Sequence, residues 1–133
     1  MDAATRILVR TRARDSCEYC LLPQDGCSLK HHIEHIVPRQ HGGSDDPGNL
    51  ALACHRCNLR KGPNLTGIDP VTGEIVPLFD PRRNRWSDHF RLLSPVIEGL
   101  SPMGRTTIKL LSMNDARRIE RRELLAQQRS GGR

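Results

Sequence analysis

Apolar and polar positions change period several times along this chain, and each change marks an element. Ala3 to Arg14 reads as a short basic helix with Ile7 and Leu8 as its main apolar anchors, broken by Asp15-Ser16. Pro23 to Gly26 is a turn signal. From Cys27 to Pro38 the chain alternates, with His31, Ile33 and His35 on one face and His32, Glu34 and Ile36 on the other; that period of two predicts a strand, which Pro38 ends. Arg39 to Gly48 is rich in Gly, Ser, Asp and Pro and reads as a loop. Asn49 to Ala53 is a short apolar run suited to a returning strand. Cys54 to Lys61 suits a helix stopped by Gly62-Pro63.

The second half is less regular. Asn64 to Pro81 is turn-rich, with a small hairpin expected around Gly73. Asn84 to Leu93 carries Trp86 and Phe90 as core anchors, and Arg105 to Met113 suits either helix or strand, with helix preferred. Asp115 to Gln128 is a further helix, although Ile119, Leu124 and Leu125 form no clean stripe; Arg117/Arg121 and Arg118/Arg122 repeat at i,i+4. Residues 130–133 are expected to fray. The fold class is α+β: a small strand–loop–strand–helix module over residues 1–63, then a mixed, basic extension over 64–133 that ends in a helix.

Composition sharpens this picture in two ways. With 36% hydrophobic residues, one Trp, one Tyr and two Phe in 133 residues, the core is modest, and a small core usually needs a staple. The net charge of +6 favours a polyanionic partner. The charge is uneven: residues 1–80 hold nine Lys/Arg against ten Asp/Glu, and residues 81–133 hold twelve against five. The plainer reading of that excess is a solvated, arginine-rich face. No apolar run approaches a membrane span of about eighteen residues, and the amino terminus lacks an apolar signal region. A cytoplasmic protein of a prokaryotic or phage-like kind is the expectation, with no membrane partner. In a reducing compartment paired cysteines favour metal over disulfide.

The cysteines supply the staple. Cys17-x2-Cys20 and Cys54-x2-Cys57 are separated by thirty-three residues, and four thiolates in two short-spaced pairs match a tetrahedral structural Zn²⁺ site. The alternatives are unrelated buried cysteines or two disulfides. Cys27 is read as a small apolar strand residue. A closed four-cysteine site has no open coordination position, so zinc here is structural.

Glu34, His35 and Asn58 remain as a separate polar set. Glu34 offers an oxygen to a hard divalent cation, His35 can take a proton near neutral pH, and Asn58 offers an amide oxygen from the helix. Neighbours on a regular strand face opposite ways, so Glu34 and His35 reach one site only where the strand twists or ends, near Pro38.

In order, Glu34-His35-Ile36-Val37-Pro38-Arg39, Gly42-Gly43-Ser44, Asn49-Leu50 and Cys54-x-x-Cys57-Asn58-x-x-Lys61-Gly62 resemble the zinc-containing, four-cysteine HNH endonucleases over residues 17–62. The resemblance implies a ββα-metal, treble-clef-like fold that grips one divalent ion. It implies that His35 is the general base, that Glu34 and Asn58 hold a catalytic Mg²⁺ or Mn²⁺, and that Asn49 pins the loop and orients His35. Where the family often has His, this chain has Asn58. The reaction implied is hydrolysis of DNA to 5′-phosphate and 3′-hydroxyl ends.

Neighbouring residues are weighed on position alone. His32 shares a strand face with Glu34 and is a candidate for metal or phosphate contact, against a structural role. His31, His41 and His55 are read as ordinary polar positions. Arg39, Arg56, Arg60 and Lys61 around the motif, and Arg117, Arg118, Arg121 and Arg122 in the last helix, are candidate phosphate contacts. The reading is a metal-dependent HNH endonuclease acting on DNA. Its rivals are a zinc-binding nucleic-acid module that does not cut and a protein-interaction zinc finger.

Overall fold

The computed structural model describes residues 1–131. Its centre is the hairpin of β1 (His32–His35) and β2 (Leu50–Ala53), antiparallel with His32 opposite Ala53 and His35 opposite Leu50. Helix α2 (His55–Lys61) follows β2 after one residue, Cys54, which is its N-cap. β1 is shorter than the alternation from Cys27 predicts. The Gln24 side chain captures the approach to it, donating to the Leu29 carbonyl at 3.0 Å and accepting from the His31 amide at 2.6 Å. Backbone groups bound to a side chain are not available to a ladder.

Helix α1 (Ala3–Arg12) is capped by Asp2, whose carboxylate accepts from the Thr5 amide at 2.8 Å. Its anchor is Val9, fully buried with Leu50, Leu52 and Ile33, whereas Ile7 and Leu8 are 65% and 47% exposed. The expected anchors are thus corrected. The inward row is Val9 and Ala13 at i,i+4, and the neighbouring positions turn away. The helix's basic residues also tie it to the hairpin: Arg10 donates to the His31 carbonyl and Arg12 to that of Leu50, both at 2.8 Å.

The extension does not stand apart. β3 (Thr66–Ile68) and β4 (Ile75–Pro77) form the expected hairpin around Gly73, followed by α3 (Trp86–His89). A second hairpin, β5 (Phe90–Leu93) with β6 (Val96–Gly99), was not legible in the sequence. Helices α4 (Pro102–Leu111) and α5 (Ala116–Gly131) complete the fold. Of the tail expected to fray, residues 132–133 lie outside the described residues. One core joins both halves, packing Tyr19, Ile36 and Ala51 against Phe79, Phe90, Ile97, Leu111 and Met113. Trp86 reaches across it, its indole N–H donating to the Tyr19 carbonyl at 2.8 Å and its ring 5.0 Å from that of Phe90.

Helix α4 begins earlier than its apolar pattern predicts. Ser101 caps it, accepting from the Gly104 amide at 3.0 Å, and Pro102 occupies the first turn. Asp69, buried in the β3–β4 connection, pairs with Arg105 of α4 at 2.8 Å. The hydrogen bonds of Arg105 hold its carboxyl down to about 2. That contribution to stability is present at neutral pH and is lost as pH falls from about 3.8 through about 2. Among the described residues no helix is long and apolar enough to cross a membrane.

Candidate functional site

The hairpin and α2 carry two polar centres at different places. The first is built from the cysteine pairs. Cys17 and Cys20 flank a tight knuckle in which the Leu21 amide donates to the Cys17 carbonyl at 3.0 Å and the Cys20 amide to Cys17 Sγ at 3.4 Å. Cys54 caps α2 in the same way, accepting from the Cys57 amide at 3.4 Å. The sulfurs of Cys17, Cys20, Cys54 and Cys57 all lie within 4.8 Å of one another, and all four residues are buried. The Cys20 and Cys54 sulfurs are 3.6 Å apart. Tetrahedral zinc with Zn–S bonds of about 2.3 Å places sulfurs roughly 3.8 Å apart, so the donor set fits that ion. Burial pushes the Cys17 and Cys57 thiols up, while hydrogen bonds led by that with Cys17 hold Cys20 and Cys54 down. Cys27 stays outside the cluster, half-buried against the core.

The second centre is an open hollow at the far end of β1, lined by His35, Asn58, Arg39 and Glu34. Asn49 shapes its rim. Its Oδ1 accepts from the Val37 amide at 2.9 Å, and its Nδ2 donates to the Val37 and Ser44 carbonyls at 3.0 and 2.9 Å. The loop passes so close that a Cβ on Gly43 would stand 1.6 Å from the Val37 carbonyl oxygen, so only glycine fits there.

His35 points its Nε2 at Asp45 Oδ1, 2.7 Å away, and Arg39 Nη2 braces the same oxygen at 2.8 Å. The His35 hydrogen bond is the main reason the Asp45 carboxyl is held below its ordinary value. Asp45 was not singled out in the sequence, because nothing in a Ser-Asp-Asp loop says which carboxylate turns inward.

Glu34 faces α2 and is 6% exposed. The Tyr19 hydroxyl donates to its Oε1, and Lys61 Nζ lies 3.2 Å from its Oε2. Burial pushes Glu34 up, and the Lys61 charge opposes that rise. Burial, followed by the Glu34 charge, pushes Tyr19 well up, which keeps it a phenol able to donate. Lys61 also donates to the Ile36 carbonyl at 2.9 Å. It is 2% exposed, which corrects its assignment as a phosphate contact: its ammonium is spent inside the fold.

The remaining candidates divide by exposure. His32 Nε2 lies 3.2 Å from His55 Nδ1, so the two histidines partner each other between β1 and α2. His31 is buried, with Nε2 2.9 Å from the Leu22 carbonyl, and His41 bonds the Pro63 carbonyl at 3.1 Å. Arg39, Arg60 and Arg117 are exposed; Arg56 pairs with Asp115 at 3.0 Å. Arg118 and Arg122 are 1% and 6% exposed, and Arg121 donates to the Gly26 carbonyl. The phosphate-contact assignment is therefore corrected for Arg118 and Arg122, whose i,i+4 row faces the core. Periodicity alone could not tell that row from a solvated one.

Residues 17–64 match the family model for HNH endonuclease. The Septu protein PtuB of Bacillus thuringiensis is 27% identical to this chain over 109 residues, covering 80% of the chain but 40% of that relative's length. No solved structure gives a significant match.

Proposed function

With residues 17–64 an HNH module whose four clustered cysteines fit the zinc type, we propose that the protein is a metal-dependent endonuclease hydrolysing DNA phosphodiester bonds. The observation that carries the reading is the hydrogen bond of His35 to Asp45 in the same open hollow as Asn58 and Glu34. With a proton on Nε2 held by Asp45, Nδ1 is the nitrogen left to accept a proton from water. Asp45 then stabilises the imidazolium that forms and holds the ring in one tautomer. Exposed Arg39, paired with Asp45, would bind and orient a phosphate.

Glu34 and Asn58 would hold the divalent ion, Mg²⁺ or Mn²⁺. Glu34 Oε2 is paired with the Lys61 ammonium at 3.2 Å, so an ion held there would share or displace that contact. Such an ion, when bound, would stabilise charge on the phosphate and on the leaving oxygen. The cysteine centre would hold a structural zinc. Asn49 keeps the loop closed so that Asp45 stays opposite His35.

One observation favours a second reading, a zinc module that binds nucleic acid without cutting: Lys61 and Tyr19 already satisfy Glu34. Plasmid cleavage with Mg²⁺ or Mn²⁺, with and without EDTA, separates the two. Wild type is expected to cut, and His35→Ala to keep its zinc and DNA affinity while losing at least about 10²-fold in rate. Cleavage by H35A at the wild-type rate would remove His35 as the base.

A further inference from the structure

Two arginines of α5 are buried beside the cysteine centre, where a cation needs a counter-charge. Arg118 Nη1 donates to Cys57 Sγ at 2.9 Å, its Nε donates to Asp115 at 3.0 Å, and its Nη2 reaches the Leu111 carbonyl. Arg122 donates to the Met113 and Pro95 carbonyls at 2.7 and 3.0 Å. Its Nε is buried without a hydrogen-bond partner, and it lines one cleft with Cys20. Among the described residues no carboxylate forms a salt bridge with Arg122. Asp115 pairs with both Arg118 and Arg56, each at 3.0 Å, so one carboxylate faces two guanidiniums.

With Arg56, Arg118 and Arg122 set against Asp115, two positive charges beside the cysteine centre are left uncancelled. A zinc ion bound by four thiolates carries two negative charges, because its cysteines bind deprotonated. We propose that Arg118 and Arg122 form the outer shell of the metal centre, neutralising the zinc–tetrathiolate and making α5 a cap whose docking depends on the metal. The proposal rests on the zinc reading and is independent of cleavage. It gives the carboxy-terminal helix a role that its arginines do not reveal in sequence. The guanidinium at Cys57 donates to a sulfur lone pair, lowering the thiolate's donor strength and its readiness to be protonated and released. Without zinc the charge of the tetrathiolate centre would not be assembled beside the two buried guanidiniums, so α5 would loosen.

The test uses the full chain loaded with Zn²⁺ or Co²⁺, as wild type, Arg118→Met, Arg118→Lys, Arg122→Met and, as an exposed control on the same helix, Arg117→Met. Zinc content, zinc transfer to a chromogenic chelator, the sulfur-to-cobalt charge-transfer band and hydrogen exchange over residues 116–129 are measured. R118M is expected to release zinc at least about tenfold faster, as loss of an outer-shell partner typically does, and to move the band to lower energy. R118K should fall between it and wild type, R122M should loosen α5 in exchange, and R117M should match wild type. The cobalt band reports the N–H···S bond itself, which a purely structural role would not move. Should R118M fail to fold, R118K decides by the same band. A band and release rate in R118M or R118K equal to those of R117M would overturn the proposal. Wild type purifying without metal would remove the zinc reading and this proposal, leaving the cleavage test unaffected.

Discussion

The two polar centres of the hairpin and α2 are built on opposite plans. At the cysteine end every donor points inward, all four residues are buried, and a guanidinium seals one sulfur. At the His35 end the polar groups face an open hollow, and their partners are other side chains at its edge. A site that excludes solvent and has every coordination position filled can hold a fold but offers no place for substrate. A site that is held in shape yet open can meet a phosphodiester. One small hairpin with its helix thus buries the cysteine end and leaves a hollow open at the His35 end.

The sharpest way to break the comparison is at the closed end. Apparent zinc-binding energies in such sites, about 10–16 kcal/mol, rival the 5–15 kcal/mol or so of a whole domain's stability. Cys54→Ser is therefore expected to cost the fold itself, with helicity and solubility falling together by circular dichroism and sedimentation. Cys27→Ser, outside the cluster, should be far milder. A C54S protein as stable as wild type would mean that the closed end is not a staple.

The next effect lies on the seam between the two ends. Lys61→Met leaves Glu34 buried beside Tyr19 alone, and breaking a buried pair costs roughly 3–5 kcal/mol. Thermal denaturation should show that loss. Glu34→Gln combined with K61M should recover part of it, because no charge is then stranded. Added Mn²⁺ should stabilise K61M more than wild type if Glu34 holds the ion; equal shifts would argue that Glu34 is structural only.

At the open end, Asp45→Asn keeps the shape of the loop but removes the negative charge opposite His35. Zinc content should not change and cleavage should fall, because the ring loses the group that holds its tautomer and stabilises the imidazolium. An unchanged cleavage rate would leave Asp45 as a loop brace. The smallest effect is on binding: Arg39→Gln and Arg60→Gln should each flatten the log–log salt dependence of DNA affinity by about 0.9 if each meets one phosphate. Arg60 giving no change would return it to the solvated surface.

Much of this was written in the chain's order. Cys-x2-Cys twice, Glu34-His35, Gly42-Gly43, Asn49 and Asn58 are local signals, because knuckles, tight loops and helix caps are made by residues near one another in sequence. The four sulfurs meet as their spacing requires, and Asn49 clamps the loop through bonds to Val37 and Ser44. Partner choice across the fold was not written there. That Val9 rather than Ile7 or Leu8 anchors α1 depends on how the helix is rolled against β2. That Lys61 and Tyr19 clasp Glu34, Asp45 meets His35, and Arg118 closes over Cys57 sixty-one residues away depends on packing between elements. An arginine is equally at home in water, on a phosphate or against a thiolate. Its residue type permits all three, and only the surrounding charges and burial select one.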